Sequence, residues 1–154
     1  MDKIKKFAPL AGAALVLISV LLIFAPVIKD ADSYTGLKTA FGYYESGYSI
    51  IGFSLGNVLA YVLAIAGIAL AVLSVVSEQG DKVSLIAAAC MLIAGLFFFL
   101  QIQFISGGQF LNGAALDSLK KNAELGAAPI FAGILSILGA ACSACPFILK
   151  KLGK

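Results

Sequence analysis

The segment from Ile50 to Ile105 decides the fold: IIGFSLGNVLAYVLAIAGIALAVLSVV is followed by SEQGDK and then by VSLIAAACMLIAGLFFFLQIQFI. Neither apolar run, Ile50–Val76 or Val83–Ile105, contains a charged residue. Each run is longer than the stretch of about 20 apolar residues that crosses a bilayer core as a helix. Because the connection between them is short, the two helices are expected to lie side by side in opposite directions. The segment therefore predicts a transmembrane helical hairpin.

Two more apolar runs, Phe7–Ile28 and Ala128–Leu149, flank this hairpin and are also long enough to cross a bilayer. The composition agrees, since 61% of the residues are hydrophobic and only 12% are charged, whereas soluble domains carry about 25% charged residues. We predict an all-α integral membrane protein. Its single domain, residues 1–154, is expected to be a four-transmembrane-helix bundle in up-down-up-down order.

The first run also has a second interpretation, because the basic segment Met1–Lys6 before it resembles the start of a secretory signal peptide. The apolar run is longer than the roughly 7–15 residues of such a signal, and no convincing small-residue cleavage site follows it. A retained first span is therefore favoured over a cleaved leader.

The positions of the lysines predict the orientation in the membrane. Seven lie on the side of the chain termini: Lys3, Lys5, Lys6, Lys82, Lys150, Lys151 and Lys154. Four lie on the other side: Lys29, Lys38, Lys120 and Lys121. Because lysines accumulate on the cytoplasmic side, both termini are expected there and the two longer loops outside. None of the loops is much longer than about 20 residues, and all the basic residues are lysines. Both features fit a bacterial plasma membrane.

The first outer loop, Lys29–Ser49, is rich in aromatic residues. The stretch Ser33–Phe41 has β-branched and aromatic residues in rough alternation, which predicts a strand or short hairpin on the membrane surface. The aromatic side chains are interpreted either as an anchor at the depth of the lipid head groups or as a partner-binding surface. They are Tyr34, Phe41, Tyr43, Tyr44 and Tyr48.

The second outer loop, Ser106–Ala127, contains leucine and alanine residues at helical spacing. Lysine and aspartate residues occupy the opposite side of that helix, so we predict a short amphipathic helix at the membrane interface. Its apolar residues are Leu111, Ala115, Leu116 and Leu119.

Small residues recur at every fourth position in two of the predicted spans. Such ridges let helix backbones approach closely in a membrane. They are interpreted as packing surfaces within the bundle, with contact to another subunit as the alternative. The residues are Gly52, Gly56, Ala60 and Ala64 in the second span, and Ala132, Ser136, Ala140 and Ala144 in the fourth.

A few uncharged polar residues lie within the predicted spans: Asn57, Tyr61, Gln101 and Gln103. Buried amides in a membrane need hydrogen-bond partners, so the plain interpretation is bonding between helices. The functional interpretation is a small polar pocket near the outer leaflet. No ionisable Asp, Glu, Lys or His lies in the middle of a span, which argues against proton relays and ion-coupled carriers.

The motif Cys142-Ser143-Ala144-Cys145 and a third cysteine, Cys90, raise the question of thiol chemistry. A C-x-x-C motif in the last of four spans resembles the vitamin K epoxide reductase and DsbB-type oxidoreductases, which would imply electron transfer between thiols and a quinone. Those families use a second cysteine pair in an outer loop, and neither outer loop of this chain contains cysteine. We therefore expect the cysteines to be small packing residues.

The arrangement of four spans, a larger first outer loop with strand character and a tight inner turn also resembles the claudin-type architecture. The first-loop signature of that family includes tryptophans, Gly-Leu-Trp and a cysteine pair. Here Gly36-Leu37 is followed by Lys38, and the chain has no Trp. The resemblance therefore implies topology and does not carry a function.

The composition also limits the chemistry, because the chain contains no His and no Arg. The catalytic arrangements that depend on histidine are excluded in their usual form. We expect a membrane protein without enzymatic activity that acts as an accessory, scaffolding or assembly subunit, with no cofactor and no metal. The alternatives are an oligomeric channel or transport component, and a thiol oxidoreductase that uses Cys142 and Cys145. The expected partners are membrane lipids and another membrane protein or a second copy, and not nucleic acid.

Overall fold

The computed structural model describes residues 2–30 and 34–153 and is mostly helical. Ser33 and Lys154, which entered the predictions, lie outside the described residues, as does Met1. In chain order the elements are α1 (Asp2–Leu21), a 3-10 turn (Leu22–Phe24), α2 (Gly36–Phe41), β1 (Tyr43–Glu45), β2 (Tyr48–Gly52), α3 (Leu55–Val76), α4 (Gly80–Phe99), β3 (Ser106–Gly107), α5 (Gly113–Asn122) and α6 (Ala127–Lys151).

Each of the four predicted apolar runs overlaps a helix that is long and apolar enough to cross a membrane. The corresponding segments are Lys6–Phe24, Leu55–Val76, Gly80–Phe99 and Ala127–Lys151.

At three ends the helices are shorter than the predicted runs. The first run extends to Ile28, but α1 ends at Leu21 and the 3-10 turn that follows it ends at Phe24. The second run begins at Ile50, but α3 begins only at Leu55, because the chain before it pairs as strand β2. Ser54 caps α3, and its hydroxyl oxygen accepts a hydrogen bond from the backbone N–H of Asn57 at 3.3 Å. At the other end of the hairpin, α4 ends at Phe99 and not at Ile105, since the chain then continues in turns towards β3.

Each of the four long helices packs against two others: α1 and α4 both contact α3 and α6. The contact between α1 and α6 is a close backbone approach, because a Cβ atom on Gly12 would lie 2.5 Å from the carbonyl oxygen of Gly139. Further along α1, the Ser19 hydroxyl donates a hydrogen bond to the carbonyl oxygen of Ala132 at 3.0 Å. Along this contact the residue numbers therefore rise in α1 while they fall in α6.

The packing between the helices is made mostly by small side chains. The buried set includes Ala13, Ala60, Ala64, Ala71, Ala87, Ala94, Ala132, Ser19, Ser84, Ser136 and Ser143. Large apolar side chains lie on the outside of the same helices: Leu17, Leu21, Ile65, Val72, Ile86, Leu96, Phe131 and Leu138 are all exposed. Val16, Met91 and Phe98 are the larger apolar side chains buried among the small ones. On the outside of the helices the distribution is the reverse of that in a water-soluble protein, where large apolar residues are mostly buried.

The first outer loop contains a hairpin, but not where the sequence predicted it. Residues 36–41 form the short helix α2, because the Thr35 side chain accepts a hydrogen bond from the Lys38 backbone N–H at 3.4 Å and so caps a helix. Strands β1 and β2 follow and pair in antiparallel fashion through the two-residue turn Ser46–Gly47. Both turn residues have positive φ values, 51° and 83°, as this tight hairpin turn requires. β3 pairs with β2 and completes a three-stranded sheet in the order β1-β2-β3.

The second outer loop contains the predicted amphipathic helix as α5. This helix begins only at Gly113, so the predicted Leu111 lies before it. Leu111, Leu116 and Leu119 pack against an apolar cluster around the sheet, whereas Ala115 is exposed. The members of that cluster that are buried are Val27, Ile28, Ile51, Ile102 and Ile105.

The two outer loops are joined to each other near Lys29. The backbone N–H of Lys29 donates to the carbonyl oxygen of Glu124 at 3.0 Å, and their side chains form an ion pair at 2.7 Å. The hydrogen bond and the charge of the Lys29 ammonium lower the pKa of the Glu124 carboxyl below its ordinary value of 4.5, and the same carboxylate raises the pKa of Lys29. Both groups are therefore charged at neutral pH. We call α2, the sheet and α5 the cap.

Candidate functional site

A group of buried polar side chains lies where the cap meets α3. It consists of Thr39, Ser54, Asn57, Tyr61 and Gln101, all of them buried. We call this group the polar cluster. Buried polar groups are costly unless they find partners, so their hydrogen bonds decide what the cluster does.

Tyr61 and Gln101 form the first half of the cluster. The Gln101 amide nitrogen donates a hydrogen bond to the Tyr61 hydroxyl oxygen at 2.9 Å. The Tyr61 ring packs edge-on against Phe98, with the ring centroids 5.2 Å apart. Gly36 of α2 lies against the Tyr61 hydroxyl so closely that a Cβ atom there would overlap it. This half of the cluster therefore joins α3, the segment after α4 and the start of α2.

Asn57 and its neighbours form the second half. The Asn57 amide nitrogen donates to the carbonyl oxygen of Thr39 at 3.1 Å, which fastens α2 to α3. Ser54 donates to the carbonyl oxygen of Phe104 in a short hydrogen bond. The side-chain oxygen of Asn57 is buried and, among the described residues, has no hydrogen-bond donor. It is the one fully buried side-chain oxygen or nitrogen of the described cluster that has no hydrogen-bond partner.

The structure brings three of the four predicted pocket residues to this place. Tyr61 and Gln101 are in direct contact, and Asn57 lies one helical turn before Tyr61. Gln103 lies elsewhere: it is exposed, and its amide nitrogen is 3.4 Å from the carbonyl oxygen of Lys120 in α5.

Sequence reasoning missed Thr39 and Ser54. Ser54 carries a usable signal, because a serine three residues before Asn57 at the start of an apolar run is typical of a helix cap. Thr39 had no such signal, since the segment around it was predicted as a strand.

The predicted aromatic surface divides into two groups. Tyr34 and Tyr43 are half-buried and pack against the apolar cluster of the cap. The Tyr43 hydroxyl donates to the Glu45 carboxylate at 3.1 Å, and this hydrogen bond raises the pKa of Tyr43. Phe41, Tyr44 and Tyr48 are exposed.

Phe110, which the sequence analysis did not select, joins the exposed group. Its ring packs edge-on against that of Tyr48, with centroids 5.5 Å apart. The exposed fractions are 70% for Tyr44, 54% for Tyr48 and 66% for Phe110. Beside them lies a cleft of about 450 Å³ lined by Glu45, Ser46, Tyr48, Ile50 and Phe110. We call it the aromatic cleft.

The small-residue ridges lie mostly at helix contacts. Ala60, Ala64 and Ser136 are completely buried, Ala132 and Ala140 are nearly so, and Ala144 is half-buried. Gly56 lies against the ring of Phe104. Gly52 is not on the helix at all, because it belongs to β2, where its backbone lies directly against that of Gly107 in β3.

The cysteines lie in two helices and are half-buried. Cys142 and Cys145 are both in α6, Cys90 is in α4, and none of them forms a disulfide within the described part of the chain. Over residues 2–30 and 34–153, no three Cys, Asp or Glu side chains come together as a group that could hold a metal ion.

The structure therefore has two candidate functional regions. One is the buried polar cluster, which joins the cap to α3, and the other is the open aromatic cleft on the cap. No protein-family model, no curated protein and no solved structure matches this chain. We therefore infer its function from these two regions and from the distribution of charged and apolar side chains.

Proposed function

We propose that the chain is an integral membrane protein in which α1, α3, α4 and α6 cross the bilayer as an up-down-up-down bundle. The reversed distribution of side chains supports this proposal. Alanine, glycine and serine make the helix contacts, as they do in membrane bundles, where close backbone approach replaces the hydrophobic effect. The large apolar side chains on the outside suit a lipid surrounding and would be unfavourable in water.

The contacts along the helices support the alternating order. The pair Gly12–Gly139 and the pair Ser19–Ala132 run in opposite directions along α1 and α6. Along α4 and α6, Gly95 lies against Gly133 and Met91 accepts a hydrogen bond from Ser143, so these two helices also run in opposite directions. The lysine count places the chain termini and the α3–α4 turn in the cytoplasm, which puts the cap outside the cell.

Labelling of sealed cells tests this orientation. We expect a cysteine at Lys38, on the cap, to react with a membrane-impermeant maleimide from outside, and a cysteine at Lys82 to react only after the membrane is opened. Both variants are made in a chain whose three native cysteines are replaced by serine, and that parent chain is the blank. Labelling of both positions from the same side would contradict the bundle, and recovery of the chain without detergent would contradict membrane insertion.

We further propose that the protein acts by contact and not by catalysis, as an accessory or assembly subunit that binds the outer part of another membrane protein. The aromatic cleft is the observation that carries this proposal. Tyr44 and Tyr48 on the β1–β2 hairpin and Phe110 after β3 all expose large aromatic rings, and aromatic residues are enriched in the cores of protein interfaces. A role in binding also suits a chain without His, whose helices hold no charged group at depth.

Photo-crosslinking at the cleft tests the proposed partner contact. With a photoreactive phenylalanine analogue at Glu45, an exposed residue that lines the cleft, we expect one stoichiometric crosslinked membrane protein in native membranes. The double variant Tyr48→Ser/Phe110→Ser should lower that yield at least about tenfold, because loss of an interface aromatic centre costs roughly 2 kcal/mol or more.

The matched control is Phe24→Ser, which removes an equally exposed aromatic side chain from the end of the first span and not from the cleft. Its crosslinking yield should stay at the wild-type level. Equal losses in both variants, or many weak adducts in place of one, would contradict a specific partner at the cleft.

A further inference from the structure

A groove runs along the outside of the bundle between α4 and α6. Its volume is about 440 Å³, and every side chain that lines it is apolar: Leu85, Ala88, Ala89, Leu92, Ile137, Ala140, Ala141 and Ala144. Five of the eight are alanines, so the groove floor is low while the leucine and isoleucine side chains form its walls. From Leu85 to Leu92 it extends for about 11 Å along α4.

The shape and lining of the groove suit a single hydrocarbon chain. A narrow apolar channel open along its length offers close van der Waals contact to a flexible chain lying parallel to the helices. In the orientation proposed above, the acyl chains of the surrounding lipid lie in that direction.

Two lysines stand at one end of this groove, on the same helix faces that line it. On α4, Lys82 precedes Leu85 by one turn, about 5 Å along the axis. On α6, the lining residues Ala141 and Ala144 are followed at helical spacing by Ile148 and Lys151. Both lysines are exposed.

The charges around this end favour an anion. Lys150 and Asp81 form an ion pair at 2.5 Å, which joins the start of α4 to the end of α6 and neutralises both groups. Lys82 and Lys151 are the next residues along each helix, and neither forms an ion pair with the described residues. In the whole sequence, the side with the termini and the α3–α4 turn carries seven lysines and three carboxylates.

We propose that this groove is a binding site for an anionic phospholipid of the cytoplasmic leaflet. One acyl chain lies between Leu85, Leu92 and Ile137, and the phosphate of the head group lies between Lys82 and Lys151. Juxtamembrane lysines attract anionic head groups. The proposal rests on the membrane orientation described above, but it does not depend on the proposed partner at the aromatic cleft.

A second copy of the chain is a less favourable occupant of the groove. Two copies in one membrane have the same orientation, so a symmetric contact along the groove brings Lys82 and Lys151 of both copies to the same depth. Four like charges would then face one another, which opposes association. An anionic lipid meets the same charges with opposite sign.

Native mass spectrometry of the full chain tests the proposal. The chain is recovered from the membrane fraction, freed of lipid in detergent, and titrated with dioleoyl phosphatidylglycerol or dioleoyl phosphatidylcholine. We expect tighter binding of the anionic lipid. The double variant Lys82→Gln/Lys151→Gln should weaken that binding about thirtyfold, as two surface lysines predict, and leave the phosphatidylcholine affinity unchanged.

Two comparisons make the result specific. Lys120→Gln/Lys121→Gln removes the same charge from α5, on the other side, and should keep the preference for phosphatidylglycerol. Ala89→Leu/Ala141→Leu fills the groove and should weaken binding of both lipids, whereas Ala69→Leu on the exposed face of α3 should not.

Equal affinity for the two lipids, or an equal loss with the Lys120/Lys121 variant, would overturn the proposal while leaving membrane insertion intact. A lipid-free dimer that Ala89→Leu/Ala141→Leu disrupts would assign the groove to a second copy. A chain that never enters the membrane fraction would instead overturn the orientation on which this site rests.

Discussion

Replacing Gly12 with valine is expected to lower the melting temperature of the detergent-solubilised protein by roughly 10 °C. A Cβ atom at this position meets the backbone carbonyl oxygen of Gly139 at 2.5 Å and the Ser143 hydroxyl at 2.7 Å. Because a backbone oxygen cannot rotate away, α1 and α6 must move apart along their whole contact. Overpacking of this kind costs about 3 kcal/mol, and each kcal/mol lowers the melting temperature of a chain of this size by roughly 2–4 °C.

The direction of the change in melting temperature distinguishes an effect on helix packing from an effect on helix propensity. Glycine is a poor helix former, so a larger residue at an open position should stabilise α1. Ala14→Val places the same branched side chain on the exposed face of α1 and should change the melting temperature little. Equal melting of the two variants would show that α1 and α6 do not meet at Gly12, as would be the case if the first span were a cleaved leader.

The four long helices could be predicted from the sequence because their signal is global. A run of more than about 20 apolar residues has few ways to satisfy its backbone in a membrane, and the six residues 77–82 leave little choice for the hairpin. Such arguments depend on length and composition, and single residues do not change them.

The cap could be predicted only in part because its structure depends on single residues. Thr35 converts a segment with strand composition into α2 by capping it, and the turn at Ser46–Gly47 moves the hairpin ten residues along the chain. In the same way, the capping of α3 by Ser54 removes Gly52 from the predicted ridge. A capping hydrogen bond at Thr35 and Ser54, and a tight turn at Ser46–Gly47, outweigh the average propensity of the surrounding residues.

The polar cluster, too, could be predicted from the sequence only in part. Asn57 and Tyr61 share a helix face, and this spacing could be read from the sequence. Gln101 and Gln103 could not be told apart, because they lie after the end of α4, where the helical period no longer applies. In the three-dimensional structure the Gln101 side chain donates to Tyr61, whereas Gln103 is exposed and lies near Lys120.

Replacing Asn57 with aspartate is expected to release α2 and to destabilise the protein by about 3–5 kcal/mol, the usual cost of an unpaired buried charge. Asn57 is completely buried, and its amide nitrogen donates to the Thr39 carbonyl oxygen. A carboxylate has the same shape but only accepts hydrogen bonds. One of its oxygens would face the Thr39 oxygen, and the other would occupy a place where the asparagine oxygen already lacks a donor among the described residues. Thermal unfolding and faster hydrogen exchange of the α2 backbone amides measure the effect.

Two variants separate charge from the loss of one hydrogen bond. Asn57→Leu also removes the bond to Thr39, but it removes the unpartnered oxygen as well, so its cost should stay within about 1–2 kcal/mol. Asn112→Asp makes the same chemical change at the start of α5, where the bond that it removes, from the amide nitrogen to the Gln109 carbonyl oxygen, is exposed and an aspartate is a favoured N-cap residue. It should leave the melting temperature almost unchanged. If the Asn57→Asp variant has the same melting temperature as the wild type, water must reach the polar cluster. The cluster would then be an open site between the cap and α3 rather than the closed contact that holds them together.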